Sequence, residues 1–350
     1  MTLPSINTNS WPQRPFNLIA AVVVLALAAL AVPALSSATN NNIDGVRAAV
    51  KHGTLNVKGG DGGQRVALRL KAGDPNRIEV DAGDDGSADF SFDRGAVQAI
   101  ELKLGDGNDS ARIDDANGAF TDSIPTSIAG GDGNDSLEGG QVQIAAENET
   151  FKGGDGNDSV DGGKGNDTAY LGDGRDSFRW DNGEGSDVIE GQDGSDTMLF
   201  NGAAANETVT LTPNGGRLTF FRIQGNVTMD TDGVEVVDFN ALNGTDNVTV
   251  NDLTGTDVTQ TNIDLAAALG GNVPDGIAEN VVVNATNGDD NINVTGNGSG
   301  ADVTGLATAV SITHTDPTDI LSVKTLAGTD NVLVNGVAGV LQVLVDGNPV

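Results

Sequence analysis

The chain has 350 residues, with 50 Asp and Glu against 18 Lys and Arg, a formal charge of -32. That balance excludes nucleic acid and anionic membrane as partners, both being polyanions, and favours cations. There is no Cys, so disulfides, thiol catalysis and Cys-based zinc sites are excluded as well. Glycine, at 49 residues, is about twice ordinary usage, and aromatics, at 4%, argue against a compact core of large rings.

Residues 1–17 carry one charged side chain, Arg14, and 18–32 form an unbroken apolar run that ends at Pro33. Ser36-Ser37-Ala38 then supplies small residues for cleavage, so 1–38 reads as a secretory signal peptide, with retention as an N-terminal anchor the alternative. The run is short for a membrane span, which needs about 20 residues. The mature chain is expected to be secreted, without a transmembrane segment.

Residues 39–100 alternate short period-two runs with Gly/Asp turns, which argues for β-strands. Thr54-Leu55-Asn56-Val57, Val66-Ala67-Leu68-Arg69-Leu70 and Arg77-Ile78-Glu79-Val80 are examples. The turns at 59–63 and 81–86 look like weakened copies of a pattern that becomes strong later. The segment is read as the first coils of a solenoid with its cap, since an open solenoid end exposes a sheet edge.

The strong pattern fills 101–200. Two separate copies, Leu104-Gly105-Asp106-Gly107-Asn108-Asp109 and Gly130-Gly131-Asp132-Gly133-Asn134-Asp135, precede a contiguous array from Gly153 to Phe200. Its units include Gly153-Gly154-Asp155-Gly156-Asn157-Asp158 and Leu171-Gly172-Asp173-Gly174-Arg175-Asp176. The sixth-place acid recurs at Asp158, Asp167, Asp176, Asp187 and Asp196, nine residues apart except for one step of eleven. Two positions after the acid stand Ala111, Leu137, Val160, Ala169, Phe178, Ile189 and Met198, all apolar. A six-residue glycine turn followed by a three-residue strand is the consequence.

Calcium takes six to eight oxygens from carboxylates and carbonyls. Glycines at positive φ let the backbone curl its carbonyls inward, and the acids add charged oxygens. The predicted ligands are Asp109, Asp135, Asp155, Asp158, Asp167, Asp173, Asp176, Asp187, Asp193 and Asp196. With two nonapeptides per coil, Asp158 should pair with Asp176, Asp167 with Asp187, and Asp176 with Asp196 if the eleven-residue step bulges out. Asp109 and Asp135 lack an adjacent repeat and stand as isolated sites. One apolar position per nine residues cannot offset ordering costs of about 1–2 kcal/mol per residue, so calcium binding is expected to be coupled to folding.

Residues 201–350 carry a longer repeat. Gly244-Thr245-Asp246-Asn247-Val248, Gly288-Asp289-Asp290-Asn291-Ile292 and Gly328-Thr329-Asp330-Asn331-Val332 place their acids 44 and 40 residues apart. This predicts larger β-solenoid coils. Their turns fit ordinary β-arcs, with calcium the secondary reading. Residues 263–269 are short, Ala-rich and helix-like.

The glycine-rich array resembles the RTX, or hemolysin-type, calcium-binding repeat family, strongly over 153–200 and partially over 101–140. Residues 178–202 also resemble a group of secreted calcium-binding repeat proteins of actinobacteria. The resemblance implies a parallel β-roll with calcium in its turns. The fold class expected is therefore all-β, a right-handed parallel β-roll or β-helix solenoid. RTX toxins use an uncleaved C-terminal signal, from which this chain departs.

No H-E-x-x-H or G-x-S-x-G motif in a catalytic setting occurs, and His52 and His314 read as strand or turn residues. A structural or adhesive calcium-binding protein is the expectation, with no enzyme activity. A calcium-dependent module for polysaccharide or a cell surface is the alternative, and a β-helix polysaccharide lyase using Arg217 or Arg222 is a third.

Overall fold

The alternation in the sequence becomes alternation in burial. Thr168–Gly174 turns Ala169 and Leu171 inward and Tyr170 outward, and Arg217–Arg222 buries Leu218, Phe220 and Arg222. The computed structural model describes residues 42–142 and 148–350, so the signal-peptide segment 1–38 lies outside the described residues. Strands assemble into two sheets, of 15 and 14 members. Among the described residues, helix is confined to the 3-10 turns Arg94–Ala96 and Asp115–Asn117.

The chain visits the two sheets in turn. Thr126–Asp132, Glu149–Gly156, Thr168–Gly174 and Val188–Gly194 lie side by side in the first sheet, and all pair in parallel. Ser136–Glu138, Ser159–Asp161, Ser177–Trp180 and Thr197–Asn201 do the same in the second. Phe151 stands against Ala169, and Val160 against Phe178. This is a parallel β-solenoid, two strands per coil, with its apolar side chains in one contiguous cluster.

Each coil has two edges. At the first, the chain passes from the first sheet to the second through the glycine turns; at the second it returns. First-edge turns are uniform within the array, although 251–259 is longer, whereas second-edge connections run from six residues at 162–167 to the longer 115–125. The eleven-residue step falls at the second edge, in the turn after Trp180. It is absorbed before Gly185, whose backbone stacks directly on Gly165.

Several expectations are corrected. The repeat at 201–350 is longer partly because the coil through Asn247–Val250 and Gln260–Asp264 has long connections, 251–259 and 265–279, and partly because antiparallel meanders are interpolated elsewhere. Thr208–Asn214, Arg217–Arg222 and Val227–Asp232 form one such meander in the first sheet. Asn291–Gly296, Ala301–Thr304 and Ala309–Thr313 form another in the second. The N-terminal part holds one parallel coil, Thr54–Lys58 with Arg65–Lys71. Antiparallel strands Arg47–Lys51, Asp74–Ala82 and Phe90–Asp93 cover the sheet ends there. Residues 263–269 are not helical: Gln260–Asp264 is a strand held between Val236–Asn240 and Ala309–Thr313. Its alanines follow that strand in an irregular turn, where the N–H of Ala266 donates to Asp264 Oδ1 at 2.9 Å.

The core is narrow but richer than one apolar position per nine residues. Three strands of the array bury two: Thr168–Gly174 buries Ala169 and Leu171, Ser177–Trp180 buries Phe178 and Trp180, and Thr197–Asn201 buries Met198 and Phe200. The few rings are concentrated there. Trp180 stacks on Phe200 at 3.9 Å between centroids, and Phe220 and Phe239 extend the column at 4.4 and 6.0 Å from Phe200. Since Phe200 is fully buried, Phe200→Ala should cost about 3–5 kcal/mol, read as a lowered urea midpoint in calcium-saturated protein. A loss below about 1 kcal/mol would show that this column is not tightly packed.

Candidate metal centre

In-register stacking brings the sixth-place acids above one another. Along the first edge one hydrogen bond repeats: the N–H of each acid donates to a carboxylate oxygen of the acid in the next coil. Asp109 N–H donates to Asp135 Oδ1 at 2.8 Å, Asp135 to Asp158 at 2.8 Å, Asp158 to Asp176 at 2.7 Å, and Asp176 to Asp196 at 2.9 Å. The ladder begins at Gln64, whose N–H donates to Asp109 Oδ1 at 2.6 Å, and ends with Asp196 N–H on Glu235 Oε2 at 2.7 Å. Along the second edge Glu149 N–H donates to Asp167 Oδ1 at 2.6 Å, and Asp167 N–H to Asp187 Oδ1 at 2.7 Å.

The three predicted pairs are thus present. Asp109 and Asp135 are not isolated; they belong to the same column, because coils of 26 and 23 residues stack as regularly as one of 18. A second ladder runs outside it in the opposite sense. The N–H of Asn134 donates to Asn108 Oδ1 at 2.9 Å, and that of Asn157 to Asn134 Oδ1 at 2.7 Å.

One oxygen of each acid is satisfied and the other is not. Asp109, Asp135, Asp158, Asp176 and Asp196 are at most 3% exposed, and the Oδ2 of each is buried without a hydrogen-bond partner. Asp167 Oδ2 and both carboxylate oxygens of Glu149 share that condition. A buried, unpaired carboxylate oxygen is costly unless a cation meets it. Burial accordingly pushes Asp135 up to about 6, and Asp158, Asp187 and Asp196 up to about 7. Asp167 is raised too, by burial and then by the charge of Asp187.

The glycines admit this arrangement. Gly131 and Gly154 both have positive φ, and a Cβ on Gly154 would sit 2.0 Å from the Gly131 carbonyl oxygen one coil below. Gly153 lies just as close to its own turn's acid, 2.3 Å from a built Cβ to Asp158 Oδ2. The unpaired oxygens of Asp135, Asp158 and Asp196 therefore lie against bare backbone, at Gly130, Gly153 and Gly191. Hard carboxylate and carbonyl oxygens, with no nitrogen or sulfur donor, fit calcium.

Not every predicted ligand joins the buried column. Asp155, Asp173 and Asp193, at the third place of their turns, form a separate exposed row with Asp132. Their side chains are corrected from ligands to solvent-facing groups; the in-register strand carries position three outward, as position six goes inward. The turn at 81–86 is not a weakened calcium turn. It joins antiparallel strands, and its acids are neutralised by arginine: Asp81 by Arg69 at 2.8 Å and Asp84 by Arg112 at 2.7 Å.

Sequence reasoning missed the glutamates. Glu149 and Glu207 hold the aspartate's place, and Glu207 N–H donates to Asp246 Oδ1 at 2.7 Å. Asn148-Glu149-Thr150 and Asn206-Glu207-Thr208 echo Asn157-Asp158-Ser159, a signal visible without the glycines. The 201–350 acids also divide between columns. Asp246 stacks with Glu207 beside the first sheet, whereas Asp290 N–H donates to Asp330 Oδ1 at 2.9 Å beside the second.

Arg222 and Arg217, the weak catalytic bases of the lyase reading, are both in ion pairs. Arg217 meets Asp230 at 2.6 Å and Glu190 at 3.0 Å. Arg222 is buried against Glu207 and lies 5.6 Å from the Trp180 ring centre. His314 Nδ1 lies 2.6 Å from Asp264 Oδ1, and His52 is exposed in a turn.

The RTX calcium-binding nonapeptide repeat matches residues 127–141, 145–178 and 183–202, in four copies. This stretch carries RTX calcium-binding repeats. They make the chain a calcium-binding repeat protein, and the matched residues hold the buried acids from Asp135 to Asp196. The RTX match begins after Asp109 and ends before Glu207, yet both lie in ladders of the same construction. No curated protein and no solved structure matches the chain.

The raised RTX carboxylates set the sign of a pH effect. In metal-free protein the folded state holds protons that the unfolded chain, with carboxylates near 4, has released. That stabilisation is complete below about pH 4 and is lost as pH rises through about 7. In chelator the thermal midpoint should therefore fall between pH 5 and pH 8, and saturating calcium should remove the fall. A midpoint that rises over that interval in chelator would contradict the assignment.

Proposed function

We propose that the protein is a secreted, non-enzymatic β-solenoid, structural or adhesive in role, whose folding is coupled to calcium. One observation carries the coupling: a column of buried acids, each with an oxygen left unpaired, runs through the middle of the stack. Removing calcium leaves those carboxylates to repel one another at inter-strand spacing, about 4.8 Å, and neither disulfides nor a broad core compensates. The reading of 1–38 as a signal peptide and the surplus of acidic residues favour a calcium-rich setting outside the cell. The neutralised Arg217 and Arg222 favour a non-enzymatic role over a lyase.

The test uses the full chain without its signal segment. In excess chelator the far-UV circular dichroism should lose much of its strand signal, and limited proteolysis should cut first within 101–200. Adding calcium should restore both. An unchanged spectrum and cleavage map would end the coupled-folding reading. Binding to polysaccharide arrays with and without calcium distinguishes an adhesive from a purely structural role.

A further inference from the structure

Two sheets leave four outer strands to protect, and three of them are guarded. The first sheet starts at Arg47–Lys51, where Arg47 and Lys51 are exposed, and finishes at the two-residue strand Asn348–Pro349, where Pro349 has no N–H to offer. The second sheet starts at Phe90–Asp93, a short strand that ends in an exposed acid. Charge, brevity and proline each keep an outer strand from pairing with another chain.

The fourth, Asn331–Asn335, has no such guard. It pairs in parallel and without a bulge to Asn291–Gly296, and among the described residues nothing pairs with its other side. Residues 331–345 hold no charged side chain, the longest such run among the described residues. The N–H of Asn331 donates inward, to the Asp290 carbonyl at 2.8 Å. Alternate residues of a strand face the same neighbour, so the N–H and C=O groups of Val332 and Val334 point outward. The core is half-covered at the same level. Val332, Val334 and Val340 pack against it yet stay partly exposed, and Leu333, on the outer face, is 51% exposed.

We propose that this end of the solenoid binds a second copy of the chain, the two second sheets running into one across a two-fold axis at Leu333. The strand is self-complementary: Asn331-Val332-Leu333-Val334-Asn335 reads the same in both directions. An antiparallel copy centred on Leu333 sets Val332 against the partner's Val334 and Val334 against the partner's Val332. Those are the residues whose backbone groups point outward, so each valine pair exchanges both of its hydrogen bonds. Leu333 then meets the partner's Leu333 in the closer, non-hydrogen-bonded kind of pair, and the half-covered valines of the two cores adjoin. Charge selects the same place. Each copy carries a formal charge of -32, so two copies repel wherever their acids face each other, and a charge-free end lets them meet. The contact is isologous and closes at two copies. It goes beyond the calcium reading and holds for a structural or an adhesive role alike.

Sedimentation equilibrium of the calcium-loaded protein should give twice the mass of one chain. Leu333→Lys and Leu333→Asp each set like charges across the axis and should each weaken the dimer by about tenfold or more. Mixing the two variants should restore it, since opposite charges then face each other. Because Leu333 is exposed, the circular dichroism of both variants should match wild type. The chain has no Cys, so thiols can be placed singly. On mild oxidation Leu333→Cys should form an interchain disulfide, the two positions being about 4.5 Å apart between Cα atoms. Asn331→Cys should not, because Asn335 of the partner subunit lies opposite it. Should a charged variant misfold, this cysteine pair decides alone. A monomeric wild-type chain, whether that strand is bare or covered by another segment or protein, would overturn the proposal. So would a dimer indifferent to both charges, or equal cross-linking at the two positions.

Discussion

A carboxylate tied by one oxygen to the backbone of the preceding coil, with its other oxygen buried and free, is the constraint on which this molecule depends. The tie fixes register, since slipping by one residue would turn each acid outward and bring an uncharged or basic neighbour, such as Asn157, Ser159 or Arg175, into its place. The free oxygen leaves a buried charge that a cation, or at lower pH a proton, must meet. Parallel stacking causes both, because identical positions of successive coils must fall above one another. Asp135, Asp158 and Asp176 are therefore a column before they are separate sites.

Much of this could be read from the sequence. The phase shared by the sixth-place acids and the apolar residues two positions later located the turns, the strands and the inward face of Val160, Phe178 and Met198, all fully buried. Spacing alone gave the pairs Asp158–Asp176 and Asp167–Asp187. What escaped was anything set by the third dimension. Coils of 26, 23, 18 and 20 residues look irregular along the chain yet stack evenly, which hid the continuity of Asp109 and Asp135 with the array. Glycine-based recognition passed over Glu149 and Glu207. It also gave Asp155 and Asp173 a role that their outward direction does not support. The meanders were unreadable because an interpolated antiparallel strand has the same period-two pattern as a coil strand.

Where the array meets the first of those meanders, the chemistry of neutralisation changes. The strand Arg217–Arg222 delivers Arg222 into the interior beside Glu207, Asn182 and Trp180. A guanidinium there partners a buried carboxylate of the same ladder type that the RTX turns leave half unpaired. The ring column of Trp180, Phe200, Phe220 and Phe239 adds apolar contact at the same level. The solenoid thus joins a stretch of calcium-binding repeats to one whose buried ladder carboxylate is met by an arginine of the chain itself.

The two edges of the coil are unequal partners in the history of such a chain. At the first edge each turn is clamped to its neighbours by carboxylate and asparagine ladders running in opposite senses, so an added residue there would break four stacked contacts at once. The second edge already accommodates connections as different as 115–125 and 162–167 without disturbing the strands on either side. Within the array, length variation is confined to the second edge. New sequence, whether acquired by duplication or grafted by design, can be accepted along that side while the ladder opposite keeps its count.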